Sequence, residues 1–463
     1  MMIYYAANGF TKGEKPVRMA IGKITPTKFI IIGYILIILT GALLLMLPIS
    51  TMSSQSTPFH TAFFTATSAT CVTGLVLHDT YTYWSFFGQL VILFLIQIGG
   101  LGFITLAIAA ATFTRQKIGL KQRFLIQEAI SAPQMGGIVR LARFAISGAL
   151  LCEFIGAFFL ALRLCPQLGL GKGIYFAVFH AVSAFCNAGF DLMGVLEENS
   201  SLTHFSGDSI FNFTIMGLIV LGGLGFIVWE DLQRHKLHWR KYRLQTKVVL
   251  SATAFLIFGS TLLFFLIELN GPALAGKSIG DKLIASLFQS ITPRTAGFNT
   301  ISLTQLQEST VLLITLLMLI GGSPGSTAGG IKTTTIVILI LSVRATLRRQ
   351  HALECFQRRI DDDALRKAVS LLLIYLSFFI TAALLIAWLD NVTLTSAAFE
   401  AASAIGTVGL SLGITADLSV PSQLILIFLM YFGRVGCLTM LYAFAESHAI
   451  VPSKLPLEKV VVG

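Results

Sequence analysis

The sequence predicts an all-α membrane protein in which four tandem units surround a common axis, and two observations lead to this fold class. Hydrophobic residues make up 55% of the 463 residues and charged residues only 12%, whereas soluble domains carry roughly 25% charged residues. A fourfold near-repeat with a period of roughly 110 residues indicates four similar structural units. The repeated segments are SATCVTG ending at Gly74, SAFCNAG ending at Gly189, ITPRTAG ending at Gly297 and SAIGTVG ending at Gly409.

Each unit is predicted to contain a membrane span, a half-helix, the polar turn and a second span. The half-helices have about 11 to 12 residues, too few for the roughly 20 needed to cross a bilayer, so we expect them to be re-entrant. This gives eight transmembrane helices and four re-entrant pore loops in a pseudo-fourfold arrangement. The predicted half-helices are 58–69, 174–185, 281–292 and 394–404, and the predicted second spans are 86–113, 210–229, 310–343 and 423–447.

The units also define the predicted domain boundaries. These are a cytoplasmic N-terminal segment, 1–28; pore unit 1, 29–113; a basic cytoplasmic loop with pore unit 2, 114–230; a basic cytoplasmic loop with pore unit 3, 231–343, including an intramembrane loop at 321–330; a basic cytoplasmic loop with pore unit 4, 344–448; and a cytoplasmic C-terminal tail, 449–463.

A second repeat in the same order supports the register of the units. The second span of each unit carries a glycine pair or its equivalent. These segments are Gly99-Gly100-Leu101-Gly102, Gly222-Gly223-Leu224-Gly225, Gly321-Gly322-Ser323-Pro324-Gly325 and Gly433-Arg434-Val435-Gly436. Close helix packing explains such glycines, but it does not explain the polar turns.

The net charge of +11 arises from separate clusters between the spans and excludes a nucleic-acid-binding protein. Basic residues concentrate at the N-terminus and in three loops, while the intervening loops are neutral or acidic, which is the positive-inside pattern. We therefore expect both termini in the cytoplasm and all four polar turns on the outer side. The clusters begin near Lys12, Arg115, Arg234 and Arg344.

The six cysteines are scattered, and no pair has the spacing of a zinc or redox site. Buried cysteines usually serve as small packing residues. Cys71 and Cys186 lie within the polar turns, so for these two a position lining the pore is the alternative interpretation.

The polar turns have the chemistry of a cation site. Backbone carbonyls can replace the hydration shell of a cation without fixed charge, and glycine gives the chain the unusual dihedrals that aim successive carbonyls at one axis. Each half-helix also directs its C-terminal end, with roughly half a negative charge, at its turn. Both effects favour a cation over an anion.

This layout resembles the superfamily of K+ transporters formed by Trk, Ktr and HKT proteins, and it is most similar to the Ktr-type pore subunit. The resemblance rests on the four turns, the interrupted third-unit span and Arg434. It implies one filter glycine per turn, and the turns are shorter than those of K+ channels, so we expect weaker selectivity and some Na+ passage. The predicted K+ filter comprises Thr70, Cys71, Val72, Thr73, Gly74, Cys186, Asn187, Ala188, Gly189, Thr295, Ala296, Gly297, Gly406, Thr407, Val408 and Gly409.

The resemblance also implies partners and a location. It predicts a homodimer in the bacterial inner membrane, seated on a cytosolic ring of RCK subunits that sense ATP or ADP. It implies K+ as the transported ion and no covalently bound cofactor, and it leaves open whether Na+ is a coupling ion. The basic cytoplasmic loops are expected to contact that ring or, alternatively, anionic membrane lipids.

Five glycines and a proline occur within residues 321–330 and interrupt what would otherwise be a continuous span. Proline costs roughly 3 kcal/mol and each glycine about 1 kcal/mol in a helix, so an intramembrane loop is predicted. A nucleotide P-loop is excluded because Ile331 separates Gly330 from Lys332. The resemblance implies that the loop lies under the filter and gates the pore. The predicted gate residues are Gly321, Gly322, Ser323, Pro324, Gly325, Ser326, Thr327, Ala328, Gly329, Gly330, Lys332 and Arg434.

Buried charges in the predicted spans have two interpretations each. Arg434 is either a structural arginine or, as the resemblance favours, a positive charge beneath the filter that contacts the gate loop. Lys332 is either a second positive charge beneath the filter, with a weaker effect than Arg434, or a solvated lysine at the end of a span. Glu153 and Glu400 lie in apolar segments, and for Glu400 structural hydrogen bonding is preferred over stabilising a cation. Arg294 either shapes the entrance of the pore or braces the third turn.

The remaining acids and histidines form no catalytic or metal-binding constellation, so the chain is not expected to be an enzyme. The alternative function is a secondary transporter of a small solute, a class that also uses broken helices but typically in inverted repeats.

Overall fold

A computed structural model describes residues 26–102, 137–236, 238–350, 352–437 and 440. Most of these residues are helical. In units 1 and 2 the helices are α1 (Pro26–Leu45), α2 (Phe59–Thr70), α3 (Thr80–Tyr83), α4 (Phe86–Leu101), α5 (Ile138–Leu168), α6 (Leu170–Phe185), α7 (Ser209–Leu224) and α8 (Phe226–His235). In units 3 and 4 they are α9 (Leu244–Glu268), α10 (Ile279–Ile291), α11 (Glu308–Leu319), α12 (Thr333–Leu347), α13 (Asp362–Asp390), α14 (Leu394–Gly406) and α15 (Val420–Val435).

Short elements complete the described chain. Strands β1 (Glu354–Cys355) and β2 (Arg358–Arg359) form an antiparallel hairpin between α12 and α13. Single 3-10 turns occur at Pro48–Ser50, Met193–Val195, Thr203–Phe205, Trp239–Lys241, Pro272–Leu274 and Leu303–Gln305. The N-terminal segment, most of the basic loop between units 1 and 2, the far ends of the second spans of units 1 and 4, and the C-terminal tail lie outside the described residues.

Four of the described helices are long and apolar enough to cross a membrane. They are the first helices of the four units, α1, α5, α9 and α13. A fifth crossing is formed if α7 and α8 are taken together, although a bend of 96° separates them. The second helices of units 1, 3 and 4 are shorter, so the full count of eight spans remains a prediction.

A glycine with a left-handed backbone ends the second helix in three of the four units. α4, α7 and α15 have 16 residues each and end before Gly102, Gly225 and Gly436. These glycines have φ of 80°, 92° and 93°, which other residues rarely adopt. In unit 3 the corresponding position is Pro324, and α11 ends earlier, at Leu319.

The predicted continuous span 210–229 is wrong because the helix breaks at Gly225. Its positive φ cannot continue a right-handed helix. The next amide, Phe226 N–H, donates to the carbonyl of Gly325 at 2.9 Å instead of to its own helix. The loop between α11 and α12 in unit 3 therefore supplies the acceptor that stabilises the break.

The four half-helices α2, α6, α10 and α14 occupy the centre of the protein. Their C-terminal residues are buried almost without exception. α6 begins at Leu170, earlier than the predicted 174, because the chain turns at Gly169 with φ of 83° and the helix starts again at once. Side-chain caps start two of the others: Ser278 Oγ accepts from Asp281 N–H, and Thr393 Oγ1 accepts from Ser396 N–H.

The first helices surround this centre and expose apolar side chains outward. Phe154, Phe255 and Leu373 are 72%, 77% and 60% exposed. Exposed apolar area on this scale marks an interaction surface, and on helices of this length it is the expected lipid-facing surface.

Candidate functional site

The four polar turns share the same backbone conformation. In each turn the glycine and the residue two positions before it both have positive φ. The values are 57° and 93° at Val72 and Gly74, 60° and 71° at Asn187 and Gly189, 70° and 82° at Thr295 and Gly297, and 51° and 94° at Thr407 and Gly409. A non-glycine residue in this region costs on the order of 1–3 kcal/mol, so the surrounding structure must hold all four turns.

Part of that restraint comes from the half-helix that precedes each turn. In units 1, 2 and 4 the amide before the glycine donates to a carbonyl five residues back: Thr73 to Ser68 at 2.8 Å, Ala188 to Ser183 at 2.7 Å and Val408 to Ser403 at 2.8 Å. In unit 3 the corresponding bond spans four residues, from Ala296 to Thr292 at 2.9 Å. The helix end is thus continuous with the turn.

A hydroxyl group at the end of each half-helix gives further support. In units 1 and 4 it accepts from the amide of the turn glycine, and in units 2 and 3 it donates to the carbonyl of the next residue. The pairs are Gly74 N to Ser68 Oγ at 3.1 Å, Gly409 N to Ser403 Oγ at 3.0 Å, Ser183 Oγ to Phe190 O at 2.7 Å and Thr292 Oγ1 to Phe298 O at 2.6 Å. These hydroxyl groups were not predicted from the sequence, although a hydroxyl residue five or six positions before each turn glycine is a visible signal.

The turns close into a ring. Each turn glycine packs against the carbonyl that precedes the glycine of the next unit: a Cβ atom on Gly189 would lie 2.8 Å from the Ala296 oxygen, and one on Gly297 would lie 2.5 Å from the Val408 oxygen. In ring order the contacts are Gly74 to Ala188, Gly189 to Ala296, Gly297 to Val408 and Gly409 to Thr73. Unit 4 therefore contacts unit 1, and glycine is required at all four positions by space as well as by φ.

The ring has the electrostatic character of a cation site. It brings together one backbone carbonyl oxygen from each unit, and such oxygens can coordinate a dehydrated cation. The C-terminal ends of α2, α6, α10 and α14 meet at the ring and add partial negative charge.

A cavity of about 250 Å³, called the outer cavity below, lies directly beyond the ring and is lined by all four turn glycines. Asp79 and Asp191 also line it. Burial, with a further contribution from the neighbouring Asp79 carboxylate, raises the pKa of Asp191 to about 7. The cavity thus combines polar walls with a carboxyl group that titrates near neutrality.

Both cavity carboxylates also hold the chain in place. Asp79 caps α3 by accepting from Tyr81 N and Thr82 N at 2.9 Å, and it accepts from Asn199 N at 3.1 Å. Asp191 accepts from Met193 N at 2.9 Å. Both carboxyl groups are therefore fixed in position beside the ring.

The loop between α11 and α12 packs against the other side of the ring. Thr327 Oγ1 lies 3.1 Å from the carbonyl of Phe185 and 3.2 Å from Asn187 Oδ1 in the turn of unit 2. Gly329 packs against Thr407 in the turn of unit 4. The loop contacts two opposite quarters of the ring.

The break in the second helix of unit 2 holds this loop. Ser323 N donates to Gly223 O at 3.0 Å, and Thr327 N donates to Gly222 O at 3.2 Å. A predicted glycine-pair segment therefore provides carbonyl acceptors for the loop, in addition to any role in close packing.

Arg434 joins the loop to unit 1. Its Nη1 donates to the carbonyl of Thr327, and its Nη2 donates to the carbonyls of Gly99 and Gly100, the latter at 3.0 Å. Arg434 makes no ion pair with a carboxylate among the described residues. Lys332 is directed at the loop itself, donating to Ala328 O at 2.7 Å.

The family of cation transport proteins described as TrkH matches residues 10–453 of this chain. The chain belongs to the TrkH family. It is 39% identical to the potassium/sodium uptake protein NtpJ of Enterococcus hirae, over 95% of this chain and 98% of that one. It is 41% identical to the Ktr system potassium uptake protein B of Bacillus subtilis, over 92% of this chain and 94% of that one.

The crystal structure of TrkH from Vibrio parahaemolyticus has the same fold. The TM-score is 0.73 at 20% identity, covering 93% of this chain and 87% of that chain. TrkH proteins are membrane cation transporters and not enzymes. The described residues contain no cluster of side chains that could hold a metal ion.

The cysteines of the polar turns are not among the residues that line the outer cavity of this TrkH-family protein. The thiol of Cys186 lies 3.5 Å from Gln97 Oε1 and 4.0 Å from Glu153 Oε1, behind the turn, and Cys71 is fully buried. Of the two interpretations of these cysteines, their burial favours packing residues.

Two of the undecided charges have identifiable surroundings. Glu153 accepts from Gln97 Nε2 at 3.1 and 3.2 Å through its two oxygens, linking unit 2 to unit 1. Arg294 is 6% exposed and directs its guanidinium at Thr253 of α9, 3.4 Å away. The direction of this side chain favours bracing of the third turn over shaping of the entrance.

Proposed function

We propose that this TrkH-family chain takes up K+ across the bacterial inner membrane through a channel-like pore whose filter is the ring of four polar turns. The closed ring is the observation that carries the proposal, because it offers one carbonyl per unit and a glycine that cannot be replaced. The names of NtpJ and of the Ktr protein, both potassium uptake proteins, support the choice of ion. The filter residues are those predicted from the sequence.

The experiment is K+-limited growth of a K+-uptake-deficient bacterium expressing the chain, with Rb+ uptake into proteoliposomes as the direct measurement. Gly189→Ala should abolish both, because its Cβ would meet the Ala296 carbonyl at 2.8 Å. Gly217→Ala is the matched control, since nothing lies within 4 Å of a Cβ at that position. Wild-type growth by Gly189→Ala would contradict a filter at the ring.

The loop 321–330 is the proposed gate, together with Lys332 and Arg434. Its support is the set of contacts that it makes with opposite turns and with Arg434. Deleting 326–329 removes Thr327 and the chain beside Thr407, so Rb+ flux should rise. Unchanged or lower flux at equal protein content in the liposomes would argue against a gate.

The proposed assembly is a homodimer with both termini in the cytoplasm, contacting a cytosolic RCK-type ring that binds ATP or ADP. Dependence of K+ uptake on Na+ is an open part of the same proposal, and the name of NtpJ, a potassium/sodium uptake protein, makes Na+ the second ion to test. Rb+ flux measured with and without Na+, and with and without the ring subunit and each nucleotide, tests these points. A secondary transporter of an organic solute is less well supported, because the four quarters have one ring in common.

A further inference from the structure

A fully buried carboxyl group lies behind the filter turn of unit 4. Glu400, in the middle of α14, has no solvent exposure. Its Oε1 accepts from Ser411 Oγ at 2.5 Å, and its Oε2 accepts from Thr415 Oγ1 at 2.9 Å. Glu400 makes no ion pair within the described part of the chain. Its partners are therefore hydroxyl groups of the segment that leaves the ring after Gly409.

Those hydroxyl groups organise the segment that they belong to. Thr415 Oγ1 lies 2.8 Å from Ser411 Oγ, and the amide of Gly413 donates to Ser411 Oγ at 2.9 Å. Gly413 has a φ of 93°, so the segment bends sharply at this point. Ser411, Gly413 and Thr415 all line the outer cavity together with Gly409. Glu400 thus holds part of the wall that an ion meets next to the ring.

The energetics favour a bracing function over simple packing. A buried carboxyl group is costly unless it is hydrogen-bonded, so the hydroxyl groups of Ser411 and Thr415 stabilise Glu400 in this position. Glu400 projects from a buried helix between Phe399 and Ala401, both with no exposure. Because Glu400 lies on a rigid helix, its carboxyl group holds the segment after Gly409 in place more accurately than contacts within that loop could.

The opposite unit has a similar arrangement at the same register. His180 precedes Gly189 by nine residues, as Glu400 precedes Gly409. His180 Nε2 accepts from Leu192 N at 3.3 Å, and Nδ1 lies 2.7 Å from Phe176 O. One tautomer, with the proton on Nδ1, satisfies both contacts. Units 2 and 4 face each other across the ring, and both tie the chain after the glycine to the half-helix.

We infer that Glu400 is a positioning residue for ion selection: it fixes the outer end of the fourth turn so that the ring cannot contract around a smaller ion. The inference rests on the proposed K+ uptake function. Na+ has the smaller radius, and a filter whose carbonyls are free to move adapts to either ion. Loss of the brace should therefore reduce discrimination between K+ and Na+ more than it reduces total flux.

The test uses the full chain in proteoliposomes and measures the K+/Na+ permeability ratio from competition with radioactive Rb+. Glu400→Gln should lower the ratio about tenfold, which corresponds to about 1.4 kcal/mol and to the loss of one hydrogen bond. Glu268→Gln is the matched control. Glu268 is also a fully buried carboxyl, accepting from Thr310 Oγ1 at 2.6 Å and Gln307 N at 2.9 Å, but it ties α9 to α11. It should lower the thermal midpoint and leave the ratio unchanged.

A second variant keeps Glu400 and removes the hydroxyl groups that bind it. The inference can then still be tested if Glu400→Gln does not fold. The double variant Ser411→Ala and Thr415→Val should show the same loss of selectivity. Adding Glu400→Gln to it should cause no further loss, because all three changes remove one network. A normal ratio in the double variant, a further loss in the triple variant, or an equal loss in Glu268→Gln would overturn the inference. Absence of Rb+ uptake by the wild-type chain would instead overturn the proposed function, and this inference with it.

Discussion

Replacing Arg434 by glutamine is expected to raise resting K+ flux. The guanidinium donates to the loop carbonyl of Thr327 and to the carbonyls of Gly99 and Gly100 at the end of α4. It therefore holds the loop against α4, the second helix of unit 1. Glutamine is shorter, so it cannot make both sets of contacts from the same backbone position.

The size of the effect follows from the bond between Arg434 and the loop. A hydrogen bond to a charged group contributes about 1.5–3 kcal/mol. Losing it shifts the equilibrium between closed and open loop by roughly 10- to 150-fold toward open. Removal of a positive charge beneath the ring acts in the same direction, because like charges disfavour a cation nearby.

The assay is initial Rb+ uptake by purified protein in proteoliposomes without any cytosolic partner. Flux should rise about tenfold or until the pore is always open. Arg366→Gln, which changes an exposed arginine on α13, is the charge control and should behave as wild type. Wild-type or reduced flux by Arg434→Gln, with normal protein content and thermal midpoint, would refute a clamp between Arg434 and the loop.

Three further predictions concern the outer cavity, the helix break and the hydroxyl supports. Rb+ uptake should increase roughly twofold as external pH rises through about 7, because Asp191 then becomes negative and an attraction of about 0.4 kcal/mol between charges in water favours a cation by that factor. Asp191→Asn should give low, pH-independent flux, and a retained pH response would place the titrating group elsewhere. Gly225→Ala should lower stability by roughly 1–2 kcal/mol, since alanine is strained at a φ of 92°, and an unchanged thermal midpoint would contradict this strain. Ser68→Ala should reduce K+/Na+ selectivity severalfold by removing the acceptor for Gly74 N, about 1 kcal/mol, and wild-type selectivity would show that the backbone alone holds this turn.

Much of the central arrangement could be predicted because it depends on local signals. A half-helix too short to cross, followed by a polar turn and a glycine, is visible in four copies. The structure has half-helices at all four places, with α14 starting at the predicted Leu394. The positive φ of Gly74 and its counterparts is what the residue type indicates.

The remaining details depend on contacts distant in sequence. Nothing in a single turn shows that Thr407 or Val72 adopts a left-handed backbone, because that strain is held by bonds to the half-helix and by the next unit. The break at Gly225 was missed because its replacement acceptor, Gly325, lies in another unit. The direction of Cys186 was equally hidden, since its neighbours Gln97 and Glu153 come from two different helices.

Arg434 belongs to unit 4, and the loop between α11 and α12 belongs to unit 3 of the same polypeptide. An assembly of four identical chains would be obliged to carry four of each at its centre, where four guanidinium groups would repel one another and any cation between them. Because the four units belong to one polypeptide, they need not be identical. Each quarter can keep the shared coordination geometry while specialising separately, and the asymmetry between Arg434 and its glycine counterparts Gly100, Gly223 and Gly322 is the result.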